Sequence, residues 1–150
     1  MVDIVDVATR SRMMGGIRNK NTKPEMLVRR FLHARGFRYR LHVNSMPGKP
    51  DLVLPKYHAV IFVHGCFWHQ HRNCRLAYTP KTRTEFWEEK LGRNADRDKL
   101  STEKLIDIGW RVMTIWECAL RDAEMRRLGL EEAADWITSD RSFCEYPEYI

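Results

Sequence analysis

The sequence predicts an α/β fold: a small mixed β-sheet flanked by helices on both sides. Three observations predict it. The run Ala59–Val63 is strongly apolar, and "WRVMTIWEC", Trp110 to Cys118, has the composition of a strand buried on both faces. Segments with helical apolar spacing precede the first run and lie on both sides of the second. The chain has 150 residues, 43% hydrophobic and 31% charged, which is enough for one real core.

Taken in order, "TRSRMMGGIRNKNT" reads as a short basic helix or arm whose end is loosened by Gly15-Gly16. "TKPEMLVRRFLHARG" is a helix. Thr22 caps it, Pro24 suits the first turn, Glu25 completes a Thr-x-x-Glu box and Gly36 stops it. Met26, Leu27, Phe31 and Leu32 form its apolar stripe. "FRYRLHV" alternates apolar with polar and predicts a strand; "MPGKP" is a turn. "DLVLPKYHAVIFVHG" gives a strand, a short connection at Pro55-Lys56-Tyr57, and a second strand ending near Val63-His64. Two helices follow, about 84–94 and 96–108, with Gly109 ending the second. After the Trp110–Cys118 strand, residues 120–137 are helical and a loose tail remains. Trp110, Trp116 and Trp136 are assigned to the core.

A net charge of +6 and a pI near 9.3 favour a polyanionic partner, nucleic acid first, because Lys/Arg contacts to phosphates release counterions. No apolar run approaches membrane-spanning length, and the opening "MVDIVDVATRSRMM" lacks the layout of a secretion signal. A cytoplasmic protein with no membrane partner is expected, and its four cysteines read as metal ligands or buried thiols.

The stretch "VHGCFWHQHRNC" concentrates the chemistry. Cys66, His71 and Cys74 have the spacing Cys-x4-His-x2-Cys, and a loop of that length folds back so that thiolates and an imidazole converge on one ion. Mixed sulfur and nitrogen ligation favours zinc, in a closed structural site that staples the loop. Cys118, just past a buried strand, is the best fourth ligand; Cys144, in the polar tail, is the weaker choice. Spacing leaves open whether His69 or His71 takes the third position. The competing reading treats Cys66 and Cys118 as small buried hydrophobes.

Asp51 opens a strand directly after Pro50, and the next strand ends a dozen residues later. If the two pair as a hairpin, their matched ends bring Asp51 beside His64. This is the outline of a restriction-endonuclease-like core, with one difference. The acidic-x-Lys element that completes the magnesium site in such cores is replaced here by "FVHGC". Magnesium takes oxygen ligands, so Asp51 and a backbone carbonyl such as that of Val63 meet the protein's share. His64 and His69 are candidates to orient or deprotonate water, and Glu25 to hold a water from the leading helix. Against these stand a plain strand-opening turn for Asp51, a hydrogen-bonded strand end for His64 and the capping box for Glu25.

Phe67, Trp68 and Trp87, with Arg83, Lys90, Arg93 and Arg97 nearby, have the composition of a wedge between base pairs. Entering a base step costs a few kcal/mol of unstacking, and less where the step is already mispaired. Ordinary core aromatics are the alternative.

Across Ala8 to Arg121, "ATRSRMM", "PGKPD", "IFVHGCFWH", "TRTEFWEEKLGRNADRD" and "GWRVMTIWECALR" together resemble the very short patch repair (Vsr) endonucleases. "HGCFWH" followed by "TRTEFW" is the most specific part. The resemblance implies a restriction-endonuclease-like fold. It also implies magnesium-dependent nicking of double-stranded DNA, 5′ to the thymine of a T·G mismatch left by deamination of 5-methylcytosine. It implies magnesium held by Asp51 and the Val63 carbonyl, His69 as general base with His64 supporting it, and Glu25 assisting a metal-bound water. It implies zinc on Cys66, His71, Cys74 and Cys118, and so decides between the two histidines. Phe67, Trp68 and Trp87 would intercalate, Met14 would approach from the minor groove, and Lys90, Asn94 and Arg121 would read neighbouring bases. Residues 1–20 would be a DNA-contacting arm, 21–138 the endonuclease domain and 139–150 a C-terminal tail. A cytosine-5 DNA methyltransferase is implied as a functional partner, mismatch-repair factors are further candidates, and the setting is a bacterial-type nucleoid.

The chain departs from the family pattern at two points. Val63 stands where threonine is usual, and the gap from His71 to Cys74 is one residue longer, which predicts a bulge at Arg72-Asn73. Two competing classes remain: a zinc-stapled DNA-binding module without catalysis, and a restriction-type enzyme cutting both strands of paired DNA.

Overall fold

The computed structural model describes residues 21–148. Its first helix, α1, runs Lys23–Ala34 and starts as the sequence predicts: the Thr22 hydroxyl accepts the Glu25 N–H at 3.4 Å. The reciprocal half of the capping box does not form. Glu25 is buried, and its carboxylate turns instead toward Arg29 and His42.

Strands β1 (Arg40–Leu41), β2 (Leu52–Leu54), β3 (Ala59–His64), β4 (Arg111–Trp116) and β5 (Phe143–Tyr146) form one mixed sheet in that order. β1, β2 and β3 are antiparallel neighbours; β3–β4 and β4–β5 are parallel. Between β3 and β4 come a one-turn helix α2 (Cys66–His69) and a long helix α3 (Thr84–Asp107). Helices α4 (Glu117–Arg121) and α5 (Ala123–Ile137) lead to β5.

Period-two alternation divides the apolar side chains between the two faces of the sheet. Leu52, Leu54, Ile61, Met113 and Ile115 pack with Val28 and Leu32 of α1 and Trp136 and Ile137 of α5. Val53, Val60, Phe62 and Val112 pack with Leu105 of α3 on the other face. Helices therefore cover both faces, as the composition of the central strands demands. At the seam, Arg111 donates to the carbonyls of Tyr57, Trp136 and Ile137 and lies over the Trp136 ring. Trp116 and Trp136 are buried, and Trp110 packs at the margin of the α3-side core.

Several elements differ from expectation, among them the helix expected over 120–137, which is two, α4 and α5, divided at Asp122. Only Arg40–Leu41 of "FRYRLHV" forms strand, because the chain leaves the ladder at His42, which is left-handed at φ 50°. The two helices expected at 84–94 and 96–108 are one, since nothing at Ala95 breaks the backbone ladder. The loose tail expected after Ile137 contains β5, which seals the parallel edge of β4, with Gly129 of α5 leaving room for the Tyr146 ring. Met14 and the predicted arm lie outside the described residues. Among the described residues, no helix is long and apolar enough to cross a membrane.

Candidate active site and metal centre

The β2–β3 hairpin sets the site. Its register pairs Leu52 with Ile61, which sets Pro50 opposite Val63; the ladder stops there, since Pro50 has no N–H to give the Val63 carbonyl, and the Val63 N–H turns to a side-chain acceptor. The Asp51 carboxylate supplies it, accepting the Val63 N–H at 2.8 Å. N–H and C=O of one strand residue face the same neighbour, so the Val63 carbonyl is directed to the Asp51 side as well. Alternation then carries Asp51 and His64 onto the sheet face that α3 covers.

Asp51 is costly to ionise as it stands. Burial raises its carboxyl to about 7; the Val63 N–H opposes that rise, Glu25 adds to it and His69 opposes it. His42 completes the pocket. Its Nε2 lies 2.9 Å from Glu25 Oε2 and its Nδ1 3.9 Å from Asp51 Oδ1, while its backbone N–H donates to the Asp51 carbonyl. Nε2 is off the line a ring N–H would need, and it is fully buried without a hydrogen bond. One ligand atom from each of Glu25, His42 and Asp51 lies within 4.8 Å of the others.

Beside this pocket, the rings of His64 and His69 stack at 3.8 Å, 6° from parallel. His69 Nδ1 lies 2.5 Å from Asp98 Oδ2 on α3. His64 is buried between Phe62, Trp116 and His69. Burial and then the adjacent imidazole hold it well below the usual histidine range, so it stays neutral at working pH.

Glu25, Asp51, His64, His69 and Asp98 share one cleft of about 1750 Å³. Phe67, Trp68 and Trp87 line it, half-buried, with rings 5.0–6.0 Å apart. They are therefore not core residues. Tyr78, 61% exposed, leans on Phe67, and the Lys90 ammonium lies 5.9 Å from the Trp87 ring. Asn94 and Arg121 reach the same cleft, Asn94 while donating to the Trp68 carbonyl and Arg121 while paired with Glu117.

Behind α2 lies a second cluster. One ligand atom from each of Cys66, His71, Cys74 and Cys118 lies within 4.8 Å of the others. His71 Nδ1 is 3.7 Å from Cys66 Sγ and 3.5 Å from Cys118 Sγ. In a zinc tetrahedron with ordinary Zn–S and Zn–N bonds a sulfur–nitrogen edge is about 3.5 Å, and the two sulfur–nitrogen separations here match such an edge. Trp116 stacks on His71 at 4.2 Å and holds the ring. The Cys118 thiol is drawn down to about 6, chiefly by a hydrogen bond from Cys66, which in turn keeps its own proton well above the usual thiol range. Within the His71–Cys74 gap Asn73 is left-handed at φ 54°, and the four ligand atoms still gather. His69 points to Asp98 instead, and Cys144 is buried on β5 beside Glu132.

Reading the sequence missed two residues of the site, Asp98 and His42. Asp98 had a signal: with Trp87, Asn94 and Ser101 it recurs at helical spacing on one face of α3, a face visible only if the helix is continuous. His42 had none, because its place depends on where β1 ends.

An α/β domain with one buried and one half-buried carboxylate, stacked imidazoles and a rim of aromatics and cations has the groups a phosphodiester hydrolase uses. The description "DNA mismatch endonuclease Vsr" fits residues 2–76 as a family. The chain is 47% identical over 124 residues to the DNA mismatch endonuclease Vsr of Escherichia coli K12, covering 83% of this chain and 79% of that one. It is 46% identical over 127 residues to the type II nicking enzyme V.NmeAIP of Neisseria meningitidis, with 85% and 90% covered. For V.XorIIP of Xanthomonas oryzae pv. oryzae the identity is 44% over 122 residues, with 81% and 89% covered. The chain belongs to the Vsr DNA mismatch endonuclease family.

Proposed function

We propose that this protein nicks duplex DNA on the 5′ side of the thymine in a T·G mismatch, with magnesium as the catalytic ion, and so initiates very short patch repair of deaminated 5-methylcytosine. The observation that carries the reading is the meeting of Asp51, tied to Val63, with the stacked His64–His69 pair in one cleft.

Asp51 and the Val63 carbonyl would hold the cation, with Glu25 facing it from α1. When bound, the ion supplies positive charge beside the scissile phosphate and makes the attacking water more acidic. His69 takes the proton from that water at Nε2, since Nδ1 is committed to Asp98. The Asp98 carboxylate fixes the ring and favours the imidazolium that forms. His64, kept neutral by burial, supports the His69 ring without adding a second positive charge against it.

Zinc on Cys66, His71, Cys74 and Cys118 would pin α2 and so set Phe67 and Trp68 against Trp87. Those three rings would enter the mispaired step, where unstacking costs least. Lys90, Asn94 and Arg121 would read flanking bases, and Met14 would reach the minor groove from an arm of residues 1–20. Residues 21–138 would be the endonuclease domain, on a restriction-endonuclease-like core, and 139–150 a C-terminal segment. The setting would be the cytoplasmic nucleoid. A cytosine-5 methyltransferase would generate the lesions, with mismatch-repair factors as further partners.

Strand-resolved gels of T·G and T·A duplexes with magnesium test this. One nicked strand in T·G alone is expected. Retention without scission identifies a binding module, and cuts in both strands of paired DNA identify a restriction-type enzyme.

A further inference from the structure

His42 belongs to none of the roles above, yet it occupies the Asp51 pocket. Its Nε2 is buried without a hydrogen bond and lies 2.9 Å from a buried carboxylate oxygen of Glu25. Two ligands in adjacent positions of an octahedron with bonds of about 2.1 Å are separated by about 3 Å. The His42–Glu25 separation equals such an edge and would equally suit a hydrogen bond, but Nε2 makes none, so alignment and not distance separates the two.

The backbone aims the ring there. His42 adopts a left-handed conformation, φ 50°, that a non-glycine residue rarely takes, and its N–H is fastened to the Asp51 carbonyl at 3.1 Å. This bond fastens His42 to Asp51 at the end of the β1–β2 ladder. Such strain persists where the surroundings hold it and is common at ligand-binding positions.

We infer that His42 is a nitrogen ligand of the Asp51 pocket, which makes it a mixed nitrogen–oxygen site that binds manganese-type divalent ions more tightly than magnesium. Magnesium takes oxygen donors and sheds water reluctantly. Manganese also favours oxygen donors, but it stands at the start of the transition series whose affinity for mixed nitrogen and oxygen sites rises from manganese to copper, so it tolerates one imidazole better than magnesium does. The inference rests on the reading of Asp51 as the cation site. It adds an ion preference set by a residue outside the Asp51–Val63 pair.

The test uses zinc-loaded full-length protein with Mn2+ as the probe and no DNA. Mn2+ titration with Mg2+ as competitor gives the affinities, and pulsed electron paramagnetic resonance detects imidazole nitrogen coupled to the bound ion. Mn2+ is expected to bind at least about tenfold more tightly than Mg2+, and His42→Gln to remove most of that margin and the nitrogen coupling. Bound Mn2+ with no nitrogen coupling in the unsubstituted protein overturns the inference without any variant having to fold. Coupling that persists in His42→Gln overturns it too, because the nitrogen is then that of another histidine. Mn2+ binding unchanged in Asp51→Ala would instead sink the assignment of the cation to this pocket.

Discussion

His69 is held from two directions: its ring stacks on His64 at 3.8 Å, and its Nδ1 meets Asp98 Oδ2 at 2.5 Å. A strand end and a helix separated by 34 residues of sequence (64 to 98) thus grip one imidazole by its face and its Nδ1. Asp98→Asn keeps the shape but removes the charge that favours the imidazolium. A fall in kcat of roughly 10²-fold is expected, with KM nearly unchanged. Single-turnover nicking against enzyme concentration separates the two. A change confined to KM would assign Asp98 to DNA binding.

Asp51 makes stability depend on pH. Its folded carboxyl sits at about 7 against 3.8 for the free side chain, so between those values the folded state binds the extra proton. The neutral form is favoured below 3.8, and that stability is lost as pH rises through about 7. Asp51→Asn retains a neutral acceptor for Val63. In metal-free protein it is expected to be the more stable form at pH 8, by on the order of a few kcal/mol, and equal at pH 4. Thermal melts across that range check the sign. Magnesium should narrow the difference at pH 8 by stabilising only the unsubstituted protein.

Cys118→Ser removes one corner of the sulfur cluster. Loss of bound zinc and a stability loss of at least about 3 kcal/mol are expected, because metal binding and folding are coupled. Elemental analysis of the purified protein and melts with and without chelator measure both. Freshly purified unsubstituted protein without zinc would reject the ligand set.

Trp87→Ala trims a half-buried ring that contacts Phe67 and Trp68 across the cleft. Global stability should change little, whereas the preference for mismatched over matched duplex should fall about tenfold, as expected when one base-stacking ring is removed. Competition binding with both duplexes reads it. Equal losses for the two duplexes would make Trp87 a general contact and not a mismatch wedge.

Much of this was legible in the sequence, for physical reasons that differ by element. β3 and β4 are buried on both faces, so their apolar runs report them directly. The β2–β3 register follows from a short turn between two matched runs, which is why Asp51 and Val63 met as expected. The sulfur cluster was nearly complete within nine residues, and Cys118 followed from the end of a buried strand. What was not legible depends on where elements stop. β5 is short and partly exposed and follows a polar turn, so its sequence resembles a tail. Ala95 looked like a boundary and is mid-helix, which hid the α3 face bearing Asp98. His42 enters the site because the chain turns left-handed there, and neither hydropathy nor spacing encodes that turn.

The most direct measurement follows one end-labelled T·G duplex with zinc-loaded protein and magnesium, comparing the unsubstituted chain with Asp51→Ala in binding and in strand scission. The account predicts a single nick 5′ to the mispaired thymine for the former, and undiminished mismatch binding with no nick for the latter. Scission by Asp51→Ala at an unchanged rate would contradict it.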